Sequence, residues 1–582
     1  MKDKYCYSRL LLLSFLLLTV LPAFSQDVEP LTDKDSRKKF FEGFYKADPF
    51  SIHGNVGLNL RSYEANGTEN RQAPFMWYLG GQMNISVYKI NIPLTVLFTA
   101  QSLTYSHPFH KGAYTNRFTR IGASPYYKWI KLHVGHRYMD FSPLTVANHT
   151  FLGAGIELTP GKFRSAFFYG LLAKTEPQDL ALQNVNLQIF KRKGWGMKLG
   201  YGTRERFLDL IVFKAKDNPN AVDPLNQDTA FIFQNENMVI GLNGQTMLFK
   251  KLRLNLELAS SAFTKDAVDP ETGASRFLHP AFMITPHTST SFHSAMNAGV
   301  QYQYKILTLG LAYRRVDPEY RSLGAYFFNN DLENITGIAG VSLFKSRVRL
   351  NGSLGRQRNN LSGDKVTQFN RTIGSLNAQY SAGAFSLGLD YSNYTANVDY
   401  VLNQDLDSLN AVIVTQQAGL NTSYVITEEN KNRHTISGNF SVQDITDDVE
   451  DINRSAESQM LNGLLSYLFS TGENGWKLNT RLSYNKNQLS GLTIDRYGIG
   501  AGAQKDLIPK KWSLGFDANY YDATGESIEN QTLNLRANTL FKPGKHHRLD
   551  FSVLLLNRFR STGPNARNFR ETTLMLNYTY SF

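Results

Sequence analysis

His107 and His110 flank Pro108-Phe109, a His-x-x-His spacing that puts two imidazoles within reach of one metal ion. Neither a third ligand nor a helix accompanies them, so the pair reads as loop histidines rather than as a metal site. Asp444 to Asp451 (D-I-T-D-D-V-E-D) offers carboxylate oxygens of the kind that hold Ca²⁺, but lacks the glycine and the spacing of an EF-hand loop. A solvated acidic loop is the simpler reading. His546 and His547 sit at a turn. No H-E-x-x-H, G-x-S-x-G or P-loop pattern occurs. The single cysteine, Cys6, falls in an N-terminal leader, which leaves the mature chain without a thiol. The sequence therefore names no catalytic, cofactor-binding or metal-binding residue, and an enzyme is not expected.

The charged residues become informative once the elements that carry them are recognised. Many segments alternate apolar and polar residues with period two, as two-faced strands do. Leu252, Leu254, Leu256 and Leu258 alternate with Arg253, Asn255 and Glu257. The pattern recurs at Leu307, Leu309 and Leu311, at Val348, Leu350 and Leu354, at Trp476, Leu478 and Leu482, and at Leu533 and Leu535. These strands run to about 10–14 residues, against about 5–6 in globular sheets. No helical segment interrupts them. Short connectors such as Tyr88-Lys89-Ile90, Pro160-Gly161-Lys162, Lys250-Lys251 and Lys345-Ser346 take turns with longer polar links such as Asp217 to Asn235 and Asp266 to Thr290. Short turns on one side and longer loops on the other are the habit of outer-membrane barrels. Counting hairpins from Ser51 to Phe582 gives an all-β, transmembrane, antiparallel up-and-down β-barrel of about 26 strands, with 24 as the alternative. An even number places both termini in the periplasm.

The ends of the chain agree with this. Lys2, Lys4 and Arg9 precede an apolar stretch from Leu10 to Leu21, and Ala23-Phe24-Ser25 supplies small residues for signal-peptide cleavage before Gln26. The apolar stretch is shorter than the ~20 residues a membrane-spanning helix needs. The expected organisation is a signal peptide at 1–25, a short periplasmic or lumenal segment at 26–50, and the barrel at 51–582. The chain closes T-L-M-L-N-Y-T-Y-S-F, with Leu574, Leu576, Tyr578, Tyr580 and Phe582 on one face. A last strand ending in an aromatic resembles the signal read by the outer-membrane barrel-assembly machinery, which makes that machinery an expected partner.

Composition fits the same class. Hydrophobic residues make up 42% of the 582, yet none gather into a helix-spanning run after the leader. Aromatics reach 13%, as the girdles of such barrels require. The formal charge is +13. Losing Lys2, Lys4, Arg9 and Asp3 with the leader removes +2 and leaves +11. That surplus suits solvated loops, anionic lipopolysaccharide or an acidic cargo. No nucleic-acid module is visible.

If the leucine faces touch lipid, Arg253, Glu257, Arg314, Arg347, Arg349, Asp390, Arg481, Arg536, Asp550 and Arg558 face the lumen, joined by Glu571. Such groups either stay hydrated and pair across strands, or set solute selectivity. Their mixed sign argues against strong anion selectivity.

The stretch from Tyr313, Y-R-R-V-D-P-E-Y-R-S-L-G-A-Y-F-F-N-N-D-L-E-N, and the later G-S-L-G-R-Q-R-N-N-L resemble large outer-membrane barrels of the Bacteroidota type, as does P-F-M-W-Y-L-G-G-Q-M-N-I-S-V from Pro74. The resemblance implies an outer-membrane location and carries no established activity. The plug domain of a TonB-dependent receptor, the periplasmic repeats of assembly barrels and a lipopolysaccharide-inserting jelly roll do not fit into residues 26–50. Two functions remain: a gated passage for a bulky solute or polymer, or a non-conducting scaffold for an outer-membrane or surface protein. Barrels above about 20 strands need their lumen plugged. Val316 to Glu333 or Asp266 to Thr290, folded inward, would be the gating loop.

Overall fold

The structure, a computed structural model, describes residues 49–582 except 100–105, 108–109, 112–119, 174–189, 219–232, 274–275, 277, 281, 327–328, 365–369, 399–410, 430, 447–456, 473–474, 490–491, 527 and 564–565. The expected leader, nearly all of segment 26–50, positions 447–451 of the acidic run and the side chains of His107 and His110 lie outside the described residues.

Each strand pairs antiparallel with the next, from Ser51–Asn66 to Phe569–Ser581. Two short pieces, Arg120–Ala123 and Tyr126–Tyr127, pair in one register with both neighbours and make a single interrupted strand. The break falls at Ser124-Pro125, where proline has no N–H to give the ladder. Counted so, the sheet has 26 strands and is closed. Closure is a full seam: Asn55 pairs with Ser581 and the register runs unbroken to Asn66 with Arg570. At its end Gly54 and Phe582 exchange two backbone hydrogen bonds, 2.9 and 3.0 Å. The terminal aromatic is thus a paired member of the ladder.

Alternation decides the faces. Leu256, Leu258, Leu309, Leu311, Leu354 and Leu482 are exposed on the outside, and in each strand the polar partners of the pattern turn inward. Complete strands run from 10 to 17 residues. About 9–11 tilted residues cross a bilayer's apolar layer, so the longer strands project beyond it. Exposed aromatics gather toward the short-turn rim, among them Trp129, Tyr304, Tyr380, Trp476, Trp512 and Tyr580. Amphipathic rings of this kind anchor a barrel at the lipid–water boundary. The short turns force left-handed backbone on ordinary residues: Phe249 and Lys250 sit at φ 54° and 56°. Both ends of the barrel chain lie at this rim, because Ser51 pairs with Ser86 beside the Tyr88 turn.

Leu482 tests the assignment of faces. Leu482→Arg sets a charge against lipid near a strand centre and should cost about 2–4 kcal/mol. Ser353→Arg, on the inner face, should cost little. Denaturant titration in lipid vesicles, read by the heat-modifiable shift, separates the two.

Candidate functional site

The inner wall has two unlike parts. From the strand Ile130–Met139 to the strand Leu307–Val316 its inward face carries an apolar patch, in which Phe151, Phe168, Ile211, Phe213, Val239, Ala259 and Val316 are all buried. In an empty lumen such a surface would face water. Two loops cover it. The link 140–148 puts Phe141, Leu144 and Val146 against that wall, and the link 317–331 adds Tyr320 with Leu323 beside it. Leu144, Val146 and Tyr320 are fully buried. Each such side chain contributes about 1.5–3 kcal/mol over an exposed one.

Polar contacts then fix the loops in one arrangement. Tyr320 Oη donates to the Leu144 carbonyl at 2.6 Å, and Ser322 Oγ to the Thr145 carbonyl at 2.5 Å. Ala147 and Ala325 form a β-bridge between the loops, with Ala147 N donating to Gly324 O at 3.0 Å. The wall reaches in to meet them. Glu257 accepts from Leu144 N and from Asn297 Nδ2, both at 2.8 Å, and Asn237 Oδ1 accepts from Leu323 N at 2.9 Å. A carboxylate on a backbone N–H is among the stronger hydrogen bonds available to a loop. Burial, with Glu257 next in effect, raises the Tyr320 hydroxyl well above the usual phenol range, so it stays a donor. Glycines make room: a Cβ on Gly241 would meet Thr145 Cγ2 at 2.5 Å, and one on Gly196 would meet Phe168 Cε1 at 2.4 Å.

Of the two loops expected to turn inward, Val316 to Glu333 does so and Asp266 to Thr290 does not. The latter lies on the outer wall. Ile284 packs with Met238 and Ala262, with Ile240 and Phe292 at the edge, and His279 Nε2 meets Ser260 Oγ at 2.9 Å. These wall residues share the outward face of Leu256 and Leu258. The same outer face carries the Lys214–Glu236 and Lys216–Glu236 ion pairs at 3.0 and 2.8 Å. Such charges mark wall above the lipid layer, where an apolar patch must be covered by protein instead. Length and polarity in the sequence could not say which side of the wall this loop would choose. The inward loop 140–148 was not anticipated at all. Its signal was available: Phe207–Asn218 (F-L-D-L-I-V-F-K-A-K-D-N) is apolar on both faces over its middle, which a water-filled lumen does not require.

The rest of the inner wall is largely polar and carries no comparable buried apolar cluster among the described residues. Asp390, Asn421, Asn439, Asn462 and Asn485 lie there across five successive strands. Asn421 Nδ2 donates to Asp390 at 3.3 Å and Asn485 Nδ2 to Asn462 at 2.7 Å. Of the charged residues singled out above, Arg253, Glu257, Arg314 and Arg349 alternate against the exposed leucines of their strands, Glu257 holding the inward loop. Arg347 sits in the turn that begins at Phe344, where its N–H donates to Phe344 O at 3.3 Å. Arg481 pairs with Asp517, opposite Arg536 in the register, and Asp550 pairs with Arg548 at 2.8 Å. Glu571 accepts from Arg71 of the first long link. Arg164–Asp209, Arg192–Asp217 and Lys131–Glu157 are further inner ion pairs, at 2.9, 2.7 and 2.9 Å. Most inner carboxylates are thereby neutralised, while Arg253, Arg314, Arg349, Arg536 and Arg558 have no carboxylate within 4 Å among the described residues. No cluster of three metal-ligating side chains occurs among the described residues.

Two measurements test the loop assignments. Gly241→Val should drive Thr145 off the wall, raising hydrogen exchange across 140–148 and 317–331 tenfold or more while the barrel stays folded. On the outside, burial and then the neighbouring Arg276 lower the His279 pKa to about 4, from 6.5. The docked state thus favours the neutral ring. Protection of the outer loop should be full above pH 6.5 and decline as the pH falls toward 4. His279→Gln should flatten that profile.

No family model matches this chain, and no curated protein sequence does. Among solved structures the chain is similar to the P pilus usher (PapC) translocation pore, at 9% identity over 91% of this chain and 99% of that one, TM-score 0.41. It is similar to the copper transporter OprC at 10% identity, covering 92% of this chain and 81% of that one, TM-score 0.40. OccAB3 of Acinetobacter baumannii follows at 10% identity, 67% and 99% coverage, and TM-score 0.29.

Proposed function

We propose that this large outer-membrane barrel is a passage whose bore is set by the two inward loops. The observation that carries the reading is the unequal division of the lumen. About a third of the wall, nine of its 26 strands, meets loops 140–148 and 317–331 packed as a protein core, and the opposite side is polar. Adjoining cavities of ≈ 660 and ≈ 520 Å³ lie along that side. A scaffold needs no such division, because a partner or solvent would fill the lumen evenly. The loops behave as a fixed constriction held by Glu257, Asn237 and Tyr320, and movement of this core is what gating requires. On this reading the short-turn rim faces the periplasm, the chain enters the membrane after cleavage near Ser25-Gln26, and the strand ending at Phe582 engages the assembly machinery. Lipopolysaccharide and lipid surround the outer wall.

One feature favours the second reading, a scaffold for a surface protein. The outer loop leaves Phe282 and Val268 85% and 69% exposed. A partner would meet the barrel there.

Single-channel recording in a planar bilayer decides between them. The purified barrel should conduct, and excising residues 318–330 should raise conductance at least twofold. A correctly folded barrel that passes no current, with and without the excision, contradicts the passage.

A further inference from the structure

Where the polar side of the lumen opens toward the long-loop rim, the larger cavity is lined by Arg71, Arg496 and Arg558, by amide side chains and by an apolar patch. The charge there is not balanced. Arg71 is neutralised by Glu571, whereas Arg496 and Arg558 have no carboxylate within 4 Å among the described residues. Aromatic rings hold the guanidinium groups instead. Arg496 lies 4.2 Å from the Tyr521 ring centroid, and Arg558 and Arg71 lie 5.8 and 5.0 Å from that of Phe569. A guanidinium stacked on a ring keeps its N–H edge free for an anion.

Between these cations run Asn462, Asn485, Asn487 and Asn530. Asn462, Asn485 and Arg496 also line the deeper, adjoining cavity, so the track continues inward. An amide donates and accepts at once, as a sugar hydroxyl does. Met460, Ile494 and Leu556 add an apolar surface for the C–H face of a pyranose ring. The volume, ≈ 660 Å³, is in the range of ligand-sized sites. A small inorganic anion would use the arginines and leave the amides and the apolar patch idle. A neutral glycan would leave the cations idle.

We infer that this stretch of the lumen binds an acidic oligosaccharide, with Arg496 and Arg558 taking its carboxylates and the asparagine track its hydroxyls. The inference deepens the passage reading by naming its cargo class. Its test is kept separate by measuring binding rather than current.

Isothermal titration of the detergent-solubilised full chain would use trigalacturonate, with maltotriose and citrate as the neutral sugar and the sugar-free anion. Trigalacturonate should bind at least tenfold more tightly than either. Arg496→Gln with Arg558→Gln should weaken it a further tenfold or more in a barrel that still shows the heat-modifiable shift, and so should Arg496→Gln alone in part. No binding of trigalacturonate overturns the inference, as does equal binding of citrate or an unchanged affinity in the double variant. Binding by a barrel that carries no current would sink the passage and leave the site standing.

Discussion

A polypeptide inside hydrocarbon has no water to satisfy its N–H and C=O groups, and each unpaired group costs several kcal/mol. Everything else in this molecule follows from meeting that demand with strands alone. A sheet with free edges fails it, so the first strand must find the last, and the seam from Asn55–Ser581 to Asn66–Arg570 is where it does. With the ladder closed, the side chains are free to divide their work by parity. Odd and even positions meet lipid and lumen, and a change of character on either face reports a change in what that face touches.

The fold was legible because parity is written directly in the sequence. The Leu252–Leu258 and Leu307–Leu311 alternations needed no tertiary information, and the hairpin rhythm gave 26 strands, the number the closed sheet has. The interior was less legible for a physical reason. Period-two reading says which residues face inward but not what lies against them. Ile211 and Phe213 look like strand residues whether they face a loop, a partner or a cavity. Only both-face apolarity in consecutive strands hints at a packed lumen, and nothing in 140–148 marks its direction. The outer loop shows the converse. Met238, Ile240 and Phe292 extend the apolar outer face beyond the lipid, and the chain covers them with Met283 and Ile284 of its own outer loop.

Charge in the lumen follows a similar lesson. Counted from the sequence, acids and bases mix. Placed in three dimensions, Asp209, Asp217, Asp517 and Glu571 are each held by an arginine, and among the cations left over are Arg496, Arg536 and Arg558 on the polar side. Net charge per face therefore says less than which charges are already satisfied. The same loops fill one side of the lumen and leave open the side where those arginines and asparagines stand.

The central claim is that one side of the lumen is a packed core and the other is wet. Cysteine accessibility tests it most directly, since Cys6 is the chain's only native thiol and can be replaced by serine. Single cysteines at Val146, Asn462 and Leu482 would be challenged in lipid vesicles with a hydrophilic maleimide. The account expects rapid labelling at Asn462, and protection at Val146 by protein and at Leu482 by lipid. Equal labelling of Val146 and Asn462, or protection of both, would contradict it.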